Sequence, residues 1–236
     1  MNAHQASLFD LPDAVPKHPA QYSWEILSVL ERMALPYGKV LDVFAGTGVR
    51  LLMIRPDAYL NEIEPKWAAV SQRQTDRSFV GDAQCLRWAD GEFDAVITSP
   101  AYGNRMADHH NATDGSRRVT YRHCLGEPLQ PNNAGEIEWG PRYRNFHGVA
   151  WLEVRRVLRP GGALILNIKD HIRARTLQPV TVWHVDTLIA FGFGVVEHVK
   201  VETPSMGFGR NGDQRMPYES VILFQRETEQ THAHAD

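Results

Sequence analysis

Apolar positions along the chain follow two alternating periods. In "SWEILSVLERMAL", Ile26, Leu27, Leu30 and Met33 recur at the three- and four-residue spacing of one helix face, and Ser23 stands where an N-cap belongs. "KVLDVFAGTG" then runs apolar through Val40, Leu41, Val43 and Phe44, the pattern of a strand covered on both sides. The switch repeats. "VRLLMIRP" reads as a short helix stopped by Pro56, "AYLNEIEP" as a strand ending in acids, and "PKWAAVSQRQT" as a helix with Pro65 near its first position. "SFVGDA" and "FDAVITS" give a third and fourth strand, and "NFHGVAWLEVRRVL" an amphipathic helix that "RPGG" ends. "ALILNIKDH" is a fifth strand, "VTVWHVDTLIAFGF" a helix, and "VVEHVKVET" and "ESVILFQRE" two final strands. Strands alternating with helices predict βαβ units, hence an α/β fold with a doubly wound, mostly parallel sheet.

Three stretches break the pattern. Residues 1–20 hold three prolines and little periodicity, so they are expected to be irregular, and 228–236 reads as a flexible polar tail. Between them, 21–227 reads as a single domain with a long inserted loop at about 103–143, rich in Gly, Asn, Arg and His. Loops of that length usually carry function or disorder. A second basic, Gly-containing loop spans 204–217, and no internal repeat is visible.

Composition narrows the setting. Hydrophobic content is 43% and charged content 22%, ordinary for a soluble globular protein, and no apolar run approaches the roughly 20 residues of a membrane span. No basic start followed by an apolar core marks a secretory signal. Cys85 and Cys124 have neither disulfide nor metal spacing, which points to a reducing, cytoplasmic setting. The net charge of -3 argues mildly against a nucleic-acid partner, but the total hides a local bias. From Ser99 to His123, Arg105, Arg117, Arg118 and Arg122 face only two aspartates, enough for a local phosphate-binding surface. Adjacent His109 and His110 lack metal-ligand spacing, so no metal site is expected. Trp151 and Trp183 read as packing residues, while the role of Trp139 stays open. Nothing in the sequence speaks for an oligomeric state.

The candidate chemistry gathers at the strand ends. "FAGTG" closes the first strand, and its glycines let a ligand approach backbone N–H groups. Glu62 ends the second strand, where an acid can accept both hydroxyls of a ribose. Asp82, in the "GDA" that ends the third, could accept from an adenine amino group. Each element alone is commonplace; together they line one crevice of the type that doubly wound sheets use for ligands. The fourth strand ends in "TSPAYGNR", where Pro and Gly could simply stop a strand.

On these residues the chain resembles the S-adenosylmethionine-dependent methyltransferases, and more closely those that methylate exocyclic amino groups of nucleic-acid bases. "LDVFAGTG" is similar to their methionine-side glycine motif, "NEIEP" to the ribose acid, "GDA" to the adenine segment, and "TSPAY" to the catalytic motif Asp/Asn/Ser-Pro-Pro-Tyr/Phe. "KHPAQYS" (17–23) is similar to a segment that closes over the methionine end of the cofactor. The likeness covers residues 17 to about 170. It implies a Rossmann-like class I methyltransferase sheet with an antiparallel last strand, and S-adenosyl-L-methionine as cofactor. The cofactor residues it implies are Asp42, Phe44, Ala45, Gly46, Gly48, Glu62, Asp82, Ala83, His18 and Tyr22. Two departures stand out: Ala101 replaces the motif's second proline, and the helix after Gly48 is about one turn short.

The resemblance gives Ser99, Pro100 and Tyr102 catalytic roles. An aromatic amine is a weak nucleophile because its lone pair is delocalised. The Ser99 hydroxyl and Pro100 carbonyl would accept its two N–H groups and free that lone pair, while Tyr102 would stack on a flipped base, worth about 1–3 kcal/mol. Serine at 99 leans towards cytosine N4 over adenine N6. The partner implied is DNA, with Asn104, Arg105, Arg117, Arg118 and Arg122 (and Asn111) as candidate contacts and no membrane. A solitary enzyme of this type fits a restriction-modification or phage system. Two rivals are an RNA amino-methyltransferase on the same fold and a non-catalytic cofactor-binding module, the latter suggested by Ala101.

Overall fold

The computed structural model describes residues 18–103, 120–173, 175–203 and 216–228. Its core is a seven-stranded sheet in the order β3-β2-β1-β4-β5-β9-β8. In chain order, β1 is Val40–Asp42, β2 Tyr59–Glu62, β3 Ser78–Val80 and β4 Phe93–Thr98. The longer β5 is Leu158–Ile168, followed by β8 at Phe193–Glu202 and β9 at Tyr218–Arg226. β1 to β5 pair in parallel, and β9 runs antiparallel to both β5 and β8, as expected.

The alternation of side chains along each strand decides which helix it meets. Val40, Ala95, Ile97, Ala163 and Ile165 face one side, where Ile26, Leu30 and Met33 of α1 (Trp24–Ala34) pack. Leu41, Val96, Leu164 and Leu166 face the other, against Ala150, Trp151 and Val154 of α5 (Pro141–Val157). Both faces are thus covered, which explains why the strands read as near-continuous apolar runs. α1 starts as its spacing predicts: Ser23 Oγ accepts from the Ile26 N–H at 3.3 Å. α2 (Val49–Ile54), α3 (Pro65–Ser71) and α6 (Val180–Ala190) complete the layers.

Four sequence expectations need correction. The stretch 103–143 is not loop throughout: α4 (Tyr121–Leu125), a 3-10 turn (Ala134–Glu136) and the first turn of α5 lie within it. α4 has too few residues for periodicity to show. Tertiary burial stabilises it: Tyr121, Leu125 and Leu129 pack on Trp67 of α3. Secondly, α5 begins at Pro141, where proline fits a first helical position, rather than at Asn145. Thirdly, "RPGG" lies inside β5 instead of before it. Leu158 pairs with Phe93, then the register slips before Ala163 meets Ala95. Gly161 there has φ +73°, and a Cβ on Gly162 would lie 2.8 Å from the Arg159 carbonyl, so this bulge suits glycine. Fourthly, the fifth strand ends at Ile168 rather than His171, which instead opens a small hairpin of β6 (His171–Arg173) and β7 (Thr176–Gln178) that the sequence pattern did not predict.

Candidate active site

β1, β2, β3 and β4 all point their C-terminal ends at one crevice, beside the switch in strand order between β1 and β4. The loop after β1 bends sharply, with Gly46 at φ +55° and Gly48 at +65°. A Cβ on Gly48 would come within 2.4 Å of Leu60 Cδ1, and one on Gly46 within 3.0 Å of the His18 ring. Glycine here is therefore a packing requirement as well as a conformational one.

Glu62 holds this loop in place. Its buried carboxylate accepts from Gly46 N at 2.7 Å and Glu64 N at 2.8 Å. Burial pushes its pKa up to about 7, against the pull of those two N–H groups. Asn61 ties neighbouring strand ends together, donating to the Val43 carbonyl at 3.3 Å and the Gly81 carbonyl at 3.0 Å. Asp82 Oδ1 closes a turn by accepting from Gln84 N at 2.8 Å. Glu62, Asp82, Ala83 and Ile63 line a narrow cavity of ≈ 60 Å³, whose far wall is Tyr121 and Asn133–Gly135. Buried Glu64 fixes that wall, accepting from Gln130 N at 2.8 Å and Asn133 Nδ2 at 2.6 Å. The second half of the inserted stretch thus completes the crevice, a role its sequence did not announce.

A wider cavity of ≈ 270 Å³ adjoins the first, and His18, Phe44, Ser99 and Tyr121 line both. Tyr22, Asp42, Ala45 and Gly48 bound the wider one on the cofactor-motif side. His18 stacks edge-on to Trp67 at 4.5 Å, and burial lowers its pKa to about 4. Asp42 is buried, and its Oδ1 accepts from Thr98 Oγ1 at 2.6 Å and Phe44 N at 3.0 Å. Burial raises its pKa to about 7, with those two bonds opposing the rise. Arg50 also lines this cavity; its guanidinium sits over the Trp24 ring at 4.5 Å, and its buried Nε and Nη1 have no hydrogen-bond partner among the described residues. The cavity thus offers a desolvated acid and a guanidinium with unused donors.

Ser99, Pro100 and Tyr102 line the same cavity from the end of β4. The Tyr102 hydroxyl donates to Glu219 Oε2 at 3.1 Å and meets Ser99 Oγ at 2.8 Å. Asn167 Nδ2 donates to the Tyr102 oxygen and to Glu219 Oε2, both at 2.9 Å, and Lys169 Nζ lies 3.7 Å from Glu219 Oε1. Because Tyr102 gives its one proton to Glu219, Ser99 must donate its own to Tyr102. Asn167 Nδ2 also donates to Ser99 Oγ at 3.4 Å, so the Ser99 oxygen keeps one lone pair for a further donor. Asn167 at the end of β5, Glu219 on β9 and Arg50 were missed in the sequence, since each joins the site only through sheet pairing or helix docking.

Of the expected nucleic-acid contacts, Arg122 is exposed on α4. Asn104, Arg105, Asn111, Arg117 and Arg118 lie outside the described residues, as do His109 and His110. Trp139, undecided from sequence, packs against Tyr143 at 5.2 Å and Trp183 at 5.9 Å. Trp151 is fully buried, as its place on an amphipathic helix predicted.

No protein-family model matches the chain. No curated protein matches it either. Solved structures do. The N-methyltransferase NodS from Bradyrhizobium japonicum WM9, in complex with S-adenosyl-L-homocysteine, matches with a TM-score of 0.52 and 15% identity over 94% of each chain. A complex of the Haloferax volcanii Trm112 methyltransferase activator with a methyltransferase gives 0.52 and 12%, covering 84% of this chain and 89% of that one. The [4+2]-cyclase SpnF gives 0.53 and 14%, covering 89% and 85%. At such identities the likeness is one of architecture, and a cyclase among the matches means that architecture does not fix the reaction. The chain has the Rossmann-like α/β fold shared by these methyltransferases, with a mostly parallel seven-stranded sheet in which one strand, β9, runs antiparallel between β5 and β8.

Proposed function

We propose that this protein is an S-adenosylmethionine-dependent methyltransferase that modifies an exocyclic amino group in DNA, cytosine N4 first among the candidates. The observation that carries the reading is the polarity at Ser99. With Tyr102 donating to Glu219, the Ser99 hydroxyl donates to Tyr102, and its oxygen, which also accepts from Asn167, keeps one lone pair at the cavity for a substrate donor.

The residues present fit the cofactor. Glu62 and Asp82 would hold the ribose and adenine in the narrow cavity. Arg50, with unused buried donors, suits a carboxylate, and desolvated Asp42 suits an ammonium. When bound, the cofactor supplies an electrophilic methyl group on a sulfonium. The protein's own work is positioning. Ser99 Oγ and the Pro100 carbonyl accept the two N–H groups of the amine, favouring a tetrahedral nitrogen with a free lone pair. Methyl transfer would leave a neutral thioether and a cationic amine, whose proton then passes to solvent water, so Ser99 need not act as a strong base. Exposed Arg122 stands on the element that walls the crevice, where a phosphate backbone would pass.

The test is incubation with labelled S-adenosylmethionine and mixed genomic DNA, then digestion to nucleosides. Label in N4-methylcytosine is the expected result. Label in N6-methyladenine would move the target base, and label in RNA alone would move the substrate. Cofactor binding with no transfer to any nucleic acid would overturn the reading.

A further inference from the structure

The stretch "TSPAY" carries Ala101 where the motif it resembles has a second proline, yet the turn is held. Tyr143, on the first turn of α5 and fully buried, donates its hydroxyl proton to the Ala101 carbonyl at 2.8 Å. The same oxygen lies 2.9 Å from His184 Nε2, and His184 Nδ1 accepts from the Trp151 indole N–H at 2.9 Å. The chain of bonds has one polarity. An indole N–H can only donate, so His184 Nδ1 is unprotonated and the neutral ring carries its proton on Nε2. That proton goes to the Tyr143 oxygen, and the Tyr143 proton is left for Ala101. Burial keeps His184 neutral, with the neighbouring His147 ring acting the same way. Two residues on, Trp139 N donates to the Gly103 carbonyl at 3.1 Å, and a Cβ on Gly103 would lie 2.8 Å from that nitrogen.

We infer that Tyr143 is a positioning residue, backed by His184 and Trp151, whose hydroxyl fixes the Ala101 peptide and so aims Ser99, the Pro100 carbonyl and Tyr102, doing by hydrogen bond what a second proline ring does by covalent constraint. The inference rests on the proposed function for its catalytic consequence only. Tyr143, His184 and Trp151 themselves touch no substrate in that reading.

The test compares wild type, Tyr143→Phe and Tyr143→Phe/Ala101→Pro. Tyr143→Phe keeps the ring and removes the anchor. Its kcat for methyl transfer is expected to fall about 10- to 100-fold, with cofactor Kd within about twofold of wild type, and the added proline should restore most of the loss. Unchanged kcat, or kcat and cofactor affinity falling together without rescue, would overturn the inference. Amide hydrogen exchange decides it independently of activity. Protection at 101–103 should drop about tenfold or more in Tyr143→Phe while β4 amides stay protected, and equal protection in both proteins would overturn it even if wild type transfers no methyl group. If the variant does not fold, nitrogen NMR of the wild type decides: a proton on His184 Nε2 is expected, and one on Nδ1 would break the chain.

Discussion

At the residue scale the proposed chemistry rests on two carboxyls and one hydroxyl. Asp42 and Glu62 are held near a pKa of about 7, from ordinary values of 3.8 and 4.5, chiefly by burial. In the free protein the folded state therefore keeps these protons longer than the unfolded chain does. Stability should fall as pH rises from about 4 to about 7, by on the order of a few kcal/mol, and level off above. Thermal unfolding across that range checks the sign. In the proposed site an ammonium group would bind the ionised form of Asp42, so the cofactor should bind more tightly as pH rises over the same interval. Calorimetric titration with S-adenosylhomocysteine should give a Kd about tenfold or more weaker at pH 5.5 than at pH 8, with Asp42→Asn removing most of that slope. Ser99 makes a different prediction. On the proposed function, Ser99→Ala removes an acceptor that matters as the amine reacts, so kcat should drop about 10- to 100-fold, the size of one good hydrogen bond. Glu62→Ala and Asp82→Ala should instead weaken cofactor binding. Equal cofactor affinity across the three variants would contradict this division.

The β1–α2 turn and the α4 wall decide the crevice at the element scale. Gly48 gives the turn its left-handed bend and leaves room for Leu60 of β2. Gly48→Ala combines backbone strain with a clash against a buried side chain, and should cost about 2–4 kcal/mol. Chemical denaturation should show a lower midpoint with an unchanged slope. The wall is built differently. Its helix, α4, is five residues long, and the wall relies on Tyr121 and Leu125 packing on Trp67 and on Glu64 gripping Gln130 and Asn133. Isolated, such a helix would not form.

The whole molecule couples fold and ligand. The site draws residues from β1, β2, β5, β9 and α2 and from the turns that follow β3 and β4, so a ligand that fits it should stabilise the sheet as a unit. S-adenosylhomocysteine at about 100 times its Kd should add about 2.7 kcal/mol, raising Tm by roughly 5–10 °C for a chain of this size. A thermal scan checks this, and no shift would separate the fold from the proposed cofactor.

Local pattern alone determined most of the sheet: apolar runs at Val40–Phe44 and Phe93–Thr98, and the α1 face with its Ser23 cap, are consequences of period and capping that need no distant partner. The strand-end residues Gly46, Glu62, Asp82 and Ser99 were legible because a doubly wound sheet gathers successive strand ends at one edge. Only tertiary structure decided the rest. Glu219 lies 117 residues from Tyr102 in the chain, and its bond to Tyr102 exists because β9 pairs antiparallel to β5. The bond from Tyr143 to Ala101 exists because α5 docks on the sheet, and α4 is helical because Trp67 covers it. Such contacts leave no period in the sequence, since each depends on a register or a docking that long-range burial sets.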